Sequence, residues 1–208
     1  MPGRTSPAAQ LILASASAGR RNVLRAAGIE PLVAVSGVDE TGIPGETVRQ
    51  HCLRLAVLKA EAVAATRNAG LVLGADSVLE LGGEPLGKPA TAAEAARRWR
   101  AMSGQTGTLL TGHCLIDART GKRATGVAGT LVRFGTPTEA EIAAYVASGE
   151  PLSVAGAFTI DGLGGPLIDG VDGDPSNMVG LSLPLLRNLL AELGYRLFEL
   201  WTPRAGQP

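Results

Sequence analysis

Short apolar runs alternate along the chain with longer stretches in which apolar residues recur at helical spacing. The short runs, rich in Val, Leu and Ile, predict β-strands at residues 11–14, 71–81, 108–117 and 125–134. The longer stretches predict α-helices at residues 20–27, 46–67, 92–102, 139–148 and 183–193. A glycine closely follows each of these helices, as is common at helix C-termini. Helices that alternate with strands indicate an α/β protein.

The connection between the last two predicted strands is short. Its sequence, DARTGKR, is typical of the turn of a β-hairpin, in which two neighbouring strands pair antiparallel. We therefore expect a mixed β-sheet. The length of 208 residues favours a single domain, residues 1–208, with room for two lobes. Residues 1–8 and 202–208 are expected to be loose ends.

Composition excludes several classes of function. The chain has 19 basic and 19 acidic residues and 3% aromatic residues, so it lacks the charge and the stacking surfaces that bind a nucleic acid polymer. No apolar run reaches the roughly 20 residues that cross a membrane, and MPGRTSPAAQ lacks the apolar stretch of a signal peptide. We therefore expect a soluble, intracellular protein. Cys52 and Cys114 are far apart, which favours reduced core thiols over zinc ligands or a disulfide.

The first predicted strand ends in hydroxyl groups and cations. In LILASASAGRR, Ser15 and Ser17 come directly before the first predicted helix, and Arg20 comes at its start. Hydroxyls, backbone amides and guanidinium groups that meet at a helix N-terminus are groups that bind phosphate. We therefore predict that Ser15, Ser17 and Arg20 contact a phosphate, whereas Arg21 is expected to be solvated.

Two charged residues interrupt apolar patterns. Lys59 falls inside the apolar arc of the second predicted helix, with Arg54 on the opposite, polar face. Its ammonium either reaches out to water or points into a cleft. Asp76 interrupts the apolar strand LVLGADSVLEL, where an unpaired charge would be costly. It either caps a neighbouring loop, or acts as a metal ligand or general base that faces Lys59 or Lys88.

Two further motifs carry charges close to predicted strands. GGEPLGKP matches a phosphate-binding P-loop up to Lys88, but Pro89 stands where Ser or Thr is required, so Lys88 is predicted only as an isolated phosphate contact. Asp39 and Glu40 follow the strand-like segment PLVAV. Adjacent strand residues face opposite ways, so at most one of the two is expected in a shared site. They are either solvated or, with Asp76, offer oxygen ligands to Mg²⁺ or Mn²⁺.

Two apparent metal or catalytic motifs are excluded. DGDPSN, which starts at Asp172, resembles a calcium-binding loop, but Asn177 stands where that loop needs glycine and Leu183 where it needs glutamate. We expect a turn there instead. His51 and His113 have no partner at the spacing of a metal site or a catalytic triad, so both are predicted to be structural or surface residues.

Taken in order, several motifs of the chain resemble those of the Maf family of nucleoside triphosphate pyrophosphatases. They are LILASASAGRR, VDET, LKAEAV, GADS, GEPLGKP, MSGQTGTLLTG, SGEP, AGAFTIDGLGG and DPSNMVGLSLPLL, and they extend over residues 11–194. The resemblance implies an elongated mixed α/β fold with flanking helices and a central cleft, similar to the inosine triphosphate pyrophosphatases. It also implies a cytoplasmic protein, a homodimer as in many members, and hydrolysis of a nucleoside triphosphate to its monophosphate and pyrophosphate.

The resemblance also implies roles for individual residues. Asp76 is expected to be the catalytic proton acceptor, and Glu40 and Asp76 are expected to bind a divalent metal cation, Mg²⁺ or Mn²⁺. Contacts to the substrate are expected from Ser15, Ser17, Arg20, Lys59 and Lys88. Three positions depart from the common family pattern and resemble those by which subfamilies differ in base preference: Gly19, Ser77 and Asp161.

The reaction that this resemblance implies is metal-dependent hydrolysis at the α-phosphate, in which Asp76 takes a proton from the attacking water. It would serve to remove non-canonical or excess nucleotides. The competing hypothesis is a non-catalytic, nucleotide-binding regulator of septum formation and cell division, the process to which the family was first linked. A regulator needs the cations but does not need a carboxylate and a metal together. A phosphoryl transferase that uses GGEPLGK is a further alternative, and Pro89 argues against it.

Overall fold

The fold is described by a computed structural model for residues 10–202. Within these residues, the α-helices are α1 Ala18–Ala26, α2 Val48–Ala64, α3 Ala92–Met102, α4 Glu139–Ala147 and α5 Leu183–Glu192. The strands of the same part of the chain are β1 Leu11–Leu13, β2 Leu32–Val33, β3 Leu71–Leu81, β4 Glu84–Leu86, β5 Thr106–Asp117, β6 Arg123–Phe134 and β7 Ile168–Asp172. Short 3-10 helices lie at Glu150–Ser153, Ala155–Ala157, Gly165–Leu167, Pro175–Val179 and Leu197–Leu200. The predicted α/β class is confirmed.

The long elements lie where the apolar pattern predicts them. All four predicted strands and all five predicted helices are present, and the largest difference is at the end of α2, predicted at residue 67 and found at Ala64. β2 lies within the strand-like segment PLVAV. β4 and β7 were not predicted, because they are short and are defined by their pairing with β3 and β6 rather than by an alternating pattern of their own.

The strands form one mixed sheet in the order β2-β1-β3-β5-β6-β7, with β4 paired to β3. β1 pairs with β2 and with β3 in parallel, whereas the other pairs are antiparallel. The predicted hairpin is confirmed, because β5 and β6 pair in antiparallel register from Thr106 opposite Arg133 to Ile116 opposite Arg123. The expected mixed sheet is therefore present.

One edge of β3 is interrupted. β1 pairs with Leu71–Leu73 and β4 pairs with residues 79–81, so residues 74–78 have no strand partner at this edge in the described part of the chain. The Leu71 N–H donates to the Gln10 carbonyl and the Leu73 carbonyl accepts from Ala14, so odd-numbered residues direct their backbone groups towards β1. By the alternation of a strand, the N–H and C=O groups of residues 75 and 77 face this opening, which we name the edge gap.

The helix α2 packs directly on the sheet at two glycines. A Cβ atom at Gly74 would overlap the carbonyl oxygen of Ala56, and one at Gly112 would overlap that of Cys52. The absence of both side chains lets α2 lie close to β3 and β5, with Val48 and Cys52 buried against the strands. The lysine of α2 is thereby brought over the centre of β3.

The opposite face of the sheet is covered by two apolar clusters. One gathers leucines of β1, β3 and α5, including Leu13, Leu73 and Leu189. The other surrounds Trp99, whose indole lies edge-on to Phe134 and Tyr145. These clusters fix α1, α3, α4 and α5 to the sheet and so hold the elements on both sides of the edge gap.

The cysteines and the chain ends bear on earlier predictions. Cys52 and Cys114 are buried free thiols, as predicted, and burial raises the pKa of Cys52 to about 11 and that of Cys114 to about 12.

Of the predicted loose ends, residues 1–8 and 203–208 lie outside the described residues. Thr202 is held, since its N–H donates to the Gly28 carbonyl at 2.8 Å. In residues 10–202 we find no helix with the length and apolarity to cross a membrane.

Candidate active site

A buried lysine joins two carboxylates at the edge gap. The Nζ of Lys59 donates to Oδ1 of Asp76 at 2.6 Å and lies 2.7 Å from Oε1 of Glu40. Lys59 is 6% exposed and Asp76 7%, whereas the side chain of Glu40 is 60% exposed. Of the two alternatives for Lys59, the ammonium therefore does not reach out to water but points at two carboxylates, and Asp76 faces Lys59.

The local structure explains why these three side chains meet. Asp76 lies on the same face of β3 as Gly74 and Val78, which is the face that α2 covers. Lys59 is in the buried stripe of α2, next to Ala60. Glu40 comes from the loop of residues 34–47 that precedes α2.

Only one member of the acidic pair joins the site, but strand alternation is not the reason, because both residues lie in the loop before α2. The carboxylate of Asp39 folds back on its own loop, where Oδ1 accepts from the N–H of Thr41 at 2.9 Å and from its hydroxyl at 2.6 Å. Glu40 is left to reach Lys59. Asp39 therefore shapes the loop instead of entering the site.

A buried arginine occupies the other face of β3. Arg20 donates from Nε to the Gly180 carbonyl at 2.8 Å, from Nη1 to Oγ of Ser15 at 3.0 Å and from Nη2 to Oγ of Ser77 at 3.0 Å. It is 9% exposed, and no carboxylate of residues 10–202 lies within 4.0 Å of it. Burial lowers its pKa, and the charges of Asp76 and Glu40 act against that shift. A guanidinium that is buried without a counter-ion is suited to bind an anion.

The two serines before α1 build the start of this helix. The Oγ of Ser17 accepts from the Arg20 N–H at 3.3 Å and so caps the helix, and the Oγ of Ser15 accepts from the Ser17 N–H at 3.2 Å. Both hydroxyls therefore support the position of Arg20. Arg21 differs from its expectation, because it is partly buried and its Nε is buried with no partner among the described residues.

A polar network anchors Arg20 in the sheet. The hydroxyl of Ser77 lies 3.0 Å from that of Thr111, its neighbour across the β3–β5 pair. Thr111 accepts at its carbonyl from Nδ1 of His113 at 3.1 Å, and Nε2 of His113 accepts from the Ser182 N–H at 2.9 Å. His113 is therefore a structural residue, as predicted. Neither Thr111 nor the Gly180 carbonyl was predicted, because strand register and a backbone group leave no signal in the sequence.

The lysine group and the arginine group border the same opening. Asp76 and Ser77 are consecutive in β3 and face opposite sides of the sheet. Both pair with β5, and both lie at the edge gap, where residues 74–78 have no strand partner among the described residues on the side of β1 and β4. An extended anion that enters the edge gap would meet Lys59 on one side and Arg20 on the other.

The remaining predicted residues are not joined to these groups. Lys88 follows β4, is exposed and has no ion-pair partner among residues 10–202. Asp161 is exposed in the loop after Phe158. A Cβ atom at Gly19 would lie 2.8 Å from Cγ1 of Val179, so close packing already accounts for a glycine there.

The excluded motifs have ordinary structures. GGEPLGKP forms the turn between β3 and β4 and the strand β4 itself, not a loop that leads into a helix, which excludes a P-loop. DGDPSN forms the predicted turn, where Oδ1 of Asp174 accepts from the Ser176 N–H at 2.9 Å. The Nδ1 of His51 lies 3.1 Å from Oε2 of Glu46.

The carboxylates at Lys59 are chemically suited to a hard divalent cation. Oxygen atoms of Glu40 and Asp76 converge on one positive group within 2.7 Å. No three His, Cys, Asp or Glu side chains of the described residues are grouped so as to hold a metal. Mg²⁺ fits such a pair, since it is usually bound by one or two carboxylates and completes its shell with water and substrate phosphates.

The fold and the charged groups at the edge gap together define a class of protein. A mixed α/β fold that gathers carboxylates, a buried lysine and a buried arginine at a gap in its sheet is suited to a phosphorylated substrate. The family model described as Maf-like protein matches residues 10–193, and the chain belongs to this family.

Two relatives that are more than half identical to this chain agree with this assignment. A nucleoside triphosphate pyrophosphatase of Streptomyces coelicolor is 56% identical over 199 residues, which cover 95% of this chain and 97% of the relative. A protein of the same name from Streptomyces avermitilis is 55% identical over 200 residues, with the same coverage of 95% and 97%. Among solved structures, the Ham1 protein of Staphylococcus aureus is 18% identical, with a TM-score of 0.42, and the match covers 61% of this chain and 72% of that one.

Proposed function

We propose that the protein hydrolyses a nucleoside triphosphate at its α-phosphate and releases the nucleoside monophosphate and pyrophosphate. The observation that carries the proposal is the ammonium of Lys59 between the carboxylates of Asp76 and Glu40 at the edge gap. On the opposite face lies the guanidinium of Arg20, which has no carboxylate partner among residues 10–202. The names of the relatives support the same substrate class.

Asp76 is the proton acceptor in this proposal. Its carboxylate takes a proton from a water molecule, whose oxygen forms a bond to the α-phosphorus while the bond from that phosphorus to the bridging oxygen breaks. The electron pair of the broken bond leaves with pyrophosphate, and Asp76 later returns its proton to solvent. A positioned base of this kind contributes about 10²- to 10⁴-fold to a rate.

The cations of the chain offset the charge of the substrate and of the leaving group. Lys59 and Arg20 are buried at the gap, where their charge is less screened than in water. Lys88, and the helix start at Ser15 and Ser17, are proposed as further phosphate contacts.

Glu40 and Asp76 would hold Mg²⁺ or Mn²⁺. When bound, such an ion supplies positive charge that polarises the phosphate. Asp76 would then both bind the metal and accept the proton, whereas Glu40 would only bind the metal.

The substrate's base is proposed to be selected at positions 19, 77 and 161. These positions are occupied by Gly19, Ser77 and Asp161. The hydroxyl of Ser77 accepts a hydrogen bond from Arg20. A screen of the purified protein against canonical and modified nucleoside triphosphates, with pyrophosphate as the readout, identifies the preferred base.

Three further expectations stay predictions. They are a role in removing non-canonical or excess nucleotides, the homodimer and the cytoplasmic location.

The test of the mechanism is Asp76→Asn, which removes the proton acceptor and keeps the shape of the side chain. We expect pyrophosphate release to fall by about 10²- to 10⁴-fold with the fold retained. Asp172→Asn is the matched control, because Asp172 is exposed on β7 at the far edge of the sheet. Parental turnover in Asp76→Asn would overturn the mechanism.

The same assay tests the non-catalytic regulator. An enzyme of the proposed kind releases pyrophosphate only with Mg²⁺ or Mn²⁺ and stops when a chelator is added. A nucleotide-binding regulator would bind the triphosphate and release no pyrophosphate under either condition. Transfer of the γ-phosphate to another acceptor would instead indicate a phosphoryl transferase.

A further inference from the structure

The loop that carries Glu40 is fastened to α2 by an arginine outside the site. Arg54 donates from Nε to Oε1 of Glu46 at 2.7 Å and from Nη2 to Oε2 of Glu46 at 2.9 Å, so the pair is bidentate. The same Nη2 donates to the carbonyl of Thr41 at 3.1 Å. Arg54 therefore binds the loop at two points, one of them next to Glu40.

The contacts on both sides of Glu40 form one hydrogen-bonded network. Asp39 binds the N–H and the hydroxyl of Thr41, and Thr41 is bound by Arg54. Glu46 closes the other end of the loop, where its own N–H donates to the Ile43 carbonyl at 3.1 Å. These hydrogen bonds fix the backbone of Glu40 relative to α2, the helix that also carries Lys59.

The contacts of Arg54 with the loop matter because the side chain of Glu40 itself is weakly held. It is 60% exposed, and its ion-pair partner, Lys59, is shared with Asp76. If Lys59 turned towards a bound phosphate, Glu40 would lose that contact, whereas the hydrogen bond from Arg54 to the Thr41 carbonyl would remain. The Arg54 hydrogen bonds also lower the pKa of Glu46 to about 2, so the Arg54–Glu46 pair stays ionised at neutral pH.

We propose that Arg54, together with Glu46, is a positioning residue that holds Glu40 where it can bind a divalent cation. The inference rests on the proposed function, in which Glu40 is a metal ligand. Arg54 itself touches neither the carboxylate of Glu40 nor Asp76, so it acts through the loop. Partners that orient a metal ligand from behind typically change metal affinity by about 10- to 100-fold.

The test measures binding of Mn²⁺ directly, by titration calorimetry, to the full chain loaded with an α,β-methylene nucleoside triphosphate that it cannot hydrolyse. We expect Arg54→Gln to raise the Kd for Mn²⁺ about 10-fold. The Mn²⁺ concentration for half-maximal turnover of a true substrate should rise in parallel, with kcat at saturating Mn²⁺ largely kept. Arg54→Lys keeps the charge but not the fork, so its Kd should lie between the two.

Arg100→Gln is the matched control. Arg100 makes a bidentate pair of similar geometry with Glu139, at 2.9 and 2.8 Å, between α3 and α4 and away from the loop, although this pair is more exposed than Arg54–Glu46. If Arg54 were merely structural, Arg54→Gln would lower the thermal midpoint but, like Arg100→Gln, would leave the Kd for Mn²⁺ unchanged. That result would overturn the inference.

Glu40→Gln separates this inference from the function on which it rests. A raised Kd in Glu40→Gln, with a parental Kd in Arg54→Gln, would contradict the role of Arg54 alone. A parental Kd in Glu40→Gln would contradict the proposed metal site itself. Should Arg54→Gln not fold, Glu46→Gln tests the same contact, since it weakens the Arg54–Glu46 pair without removing a cation.

Discussion

At the scale of single residues, His113 shows how a titratable group can serve structure alone. Its ring is fully buried between its own strand, β5, and the start of α5, with Nδ1 directed at the Thr111 carbonyl and Nε2 accepting from the Ser182 N–H. Nε2 must be unprotonated to accept that bond, so the ring is neutral in the fold. Burial, reinforced by the charge of Arg20, lowers the pKa of His113 to about 4, although Asp174 acts in the opposite direction.

This lowered pKa predicts acid sensitivity. The unfolded chain binds a proton at His113 below pH 6.5, and the folded chain does so only near pH 4, so the contribution is complete above pH 6.5 and is lost as the pH falls towards 4. The loss amounts to roughly 3 kcal/mol. We expect His113→Gln to be less stable at pH 7 and to have a flatter dependence of the free energy of unfolding on pH. Urea unfolding at intervals between pH 4 and 7 measures both, and equal slopes in the two proteins would contradict the prediction.

The charged residues of the site could be predicted because burial makes an unpaired charge costly. Lys59 and Asp76 were singled out as charges in apolar patterns, and each is buried against the other. Which lysine faces Asp76 could not be predicted, since that depends on how α2 crosses β3. Arg54 was placed on the polar face of its helix, and nothing in the sequence distinguishes an arginine that binds a loop from one in water.

At the scale of elements, the contact between α2 and the sheet decides where Lys59 lies. Gly74 in β3 and Gly112 in β5 leave room for the backbone of α2 at Ala56 and Cys52. Any side chain at either glycine would push the helix away from the strands. Packing at these two positions therefore sets the distance between Lys59 and Asp76.

Gly74→Ala tests this dependence. Its Cβ would overlap the Ala56 carbonyl, so we expect a loss of stability of about 1–3 kcal/mol or more, together with slower pyrophosphate release because Lys59 is displaced. Gly87→Ala is the control for stability, since a Cβ at Gly87 meets no atom of residues 10–202 within 4 Å. Urea unfolding compares the two variants, and equal free energies of unfolding would show that α2 does not depend on Gly74.

The sequence predicts elements well where they are long and poorly where pairing defines them. β3 was predicted at its exact bounds, because its eleven residues form one long apolar pattern that defines both ends of the strand. β4 has three residues, two of them exposed, and exists because residues 84–86 lie against the end of β3. The edge gap follows from where β1 ends and β4 begins, so it could not be predicted from local pattern.

At the scale of the whole molecule, the site joins segments that are distant in the chain. Arg20 in α1 binds Ser77 in β3 and the carbonyl of Gly180, which adopts the left-handed conformation (φ 91°) in the turn before α5. Glu40 and Lys59 come from the opposite face of the sheet. A ligand that contacts both groups would therefore link the two faces, and its binding energy would oppose unfolding of the molecule as a whole.

This linkage predicts stabilisation by the triphosphate in the absence of turnover. An α,β-methylene nucleoside triphosphate with Mg²⁺, at 100 times its Kd, should raise the free energy of unfolding by about 2.7 kcal/mol. For a chain of this length, the thermal midpoint should then rise by roughly 5–10 °C.

Arg20→Lys should show a smaller rise at every ligand concentration, because an ammonium cannot bind Ser15, Ser77 and Gly180 and also meet a phosphate. Asp172→Asn serves as the control and should shift as the parent does. If the Arg20→Lys midpoint rose as far as that of the parent at equal concentrations, Arg20 would not contact the triphosphate, and the ligand would have to be held from the Lys59 side of the sheet alone.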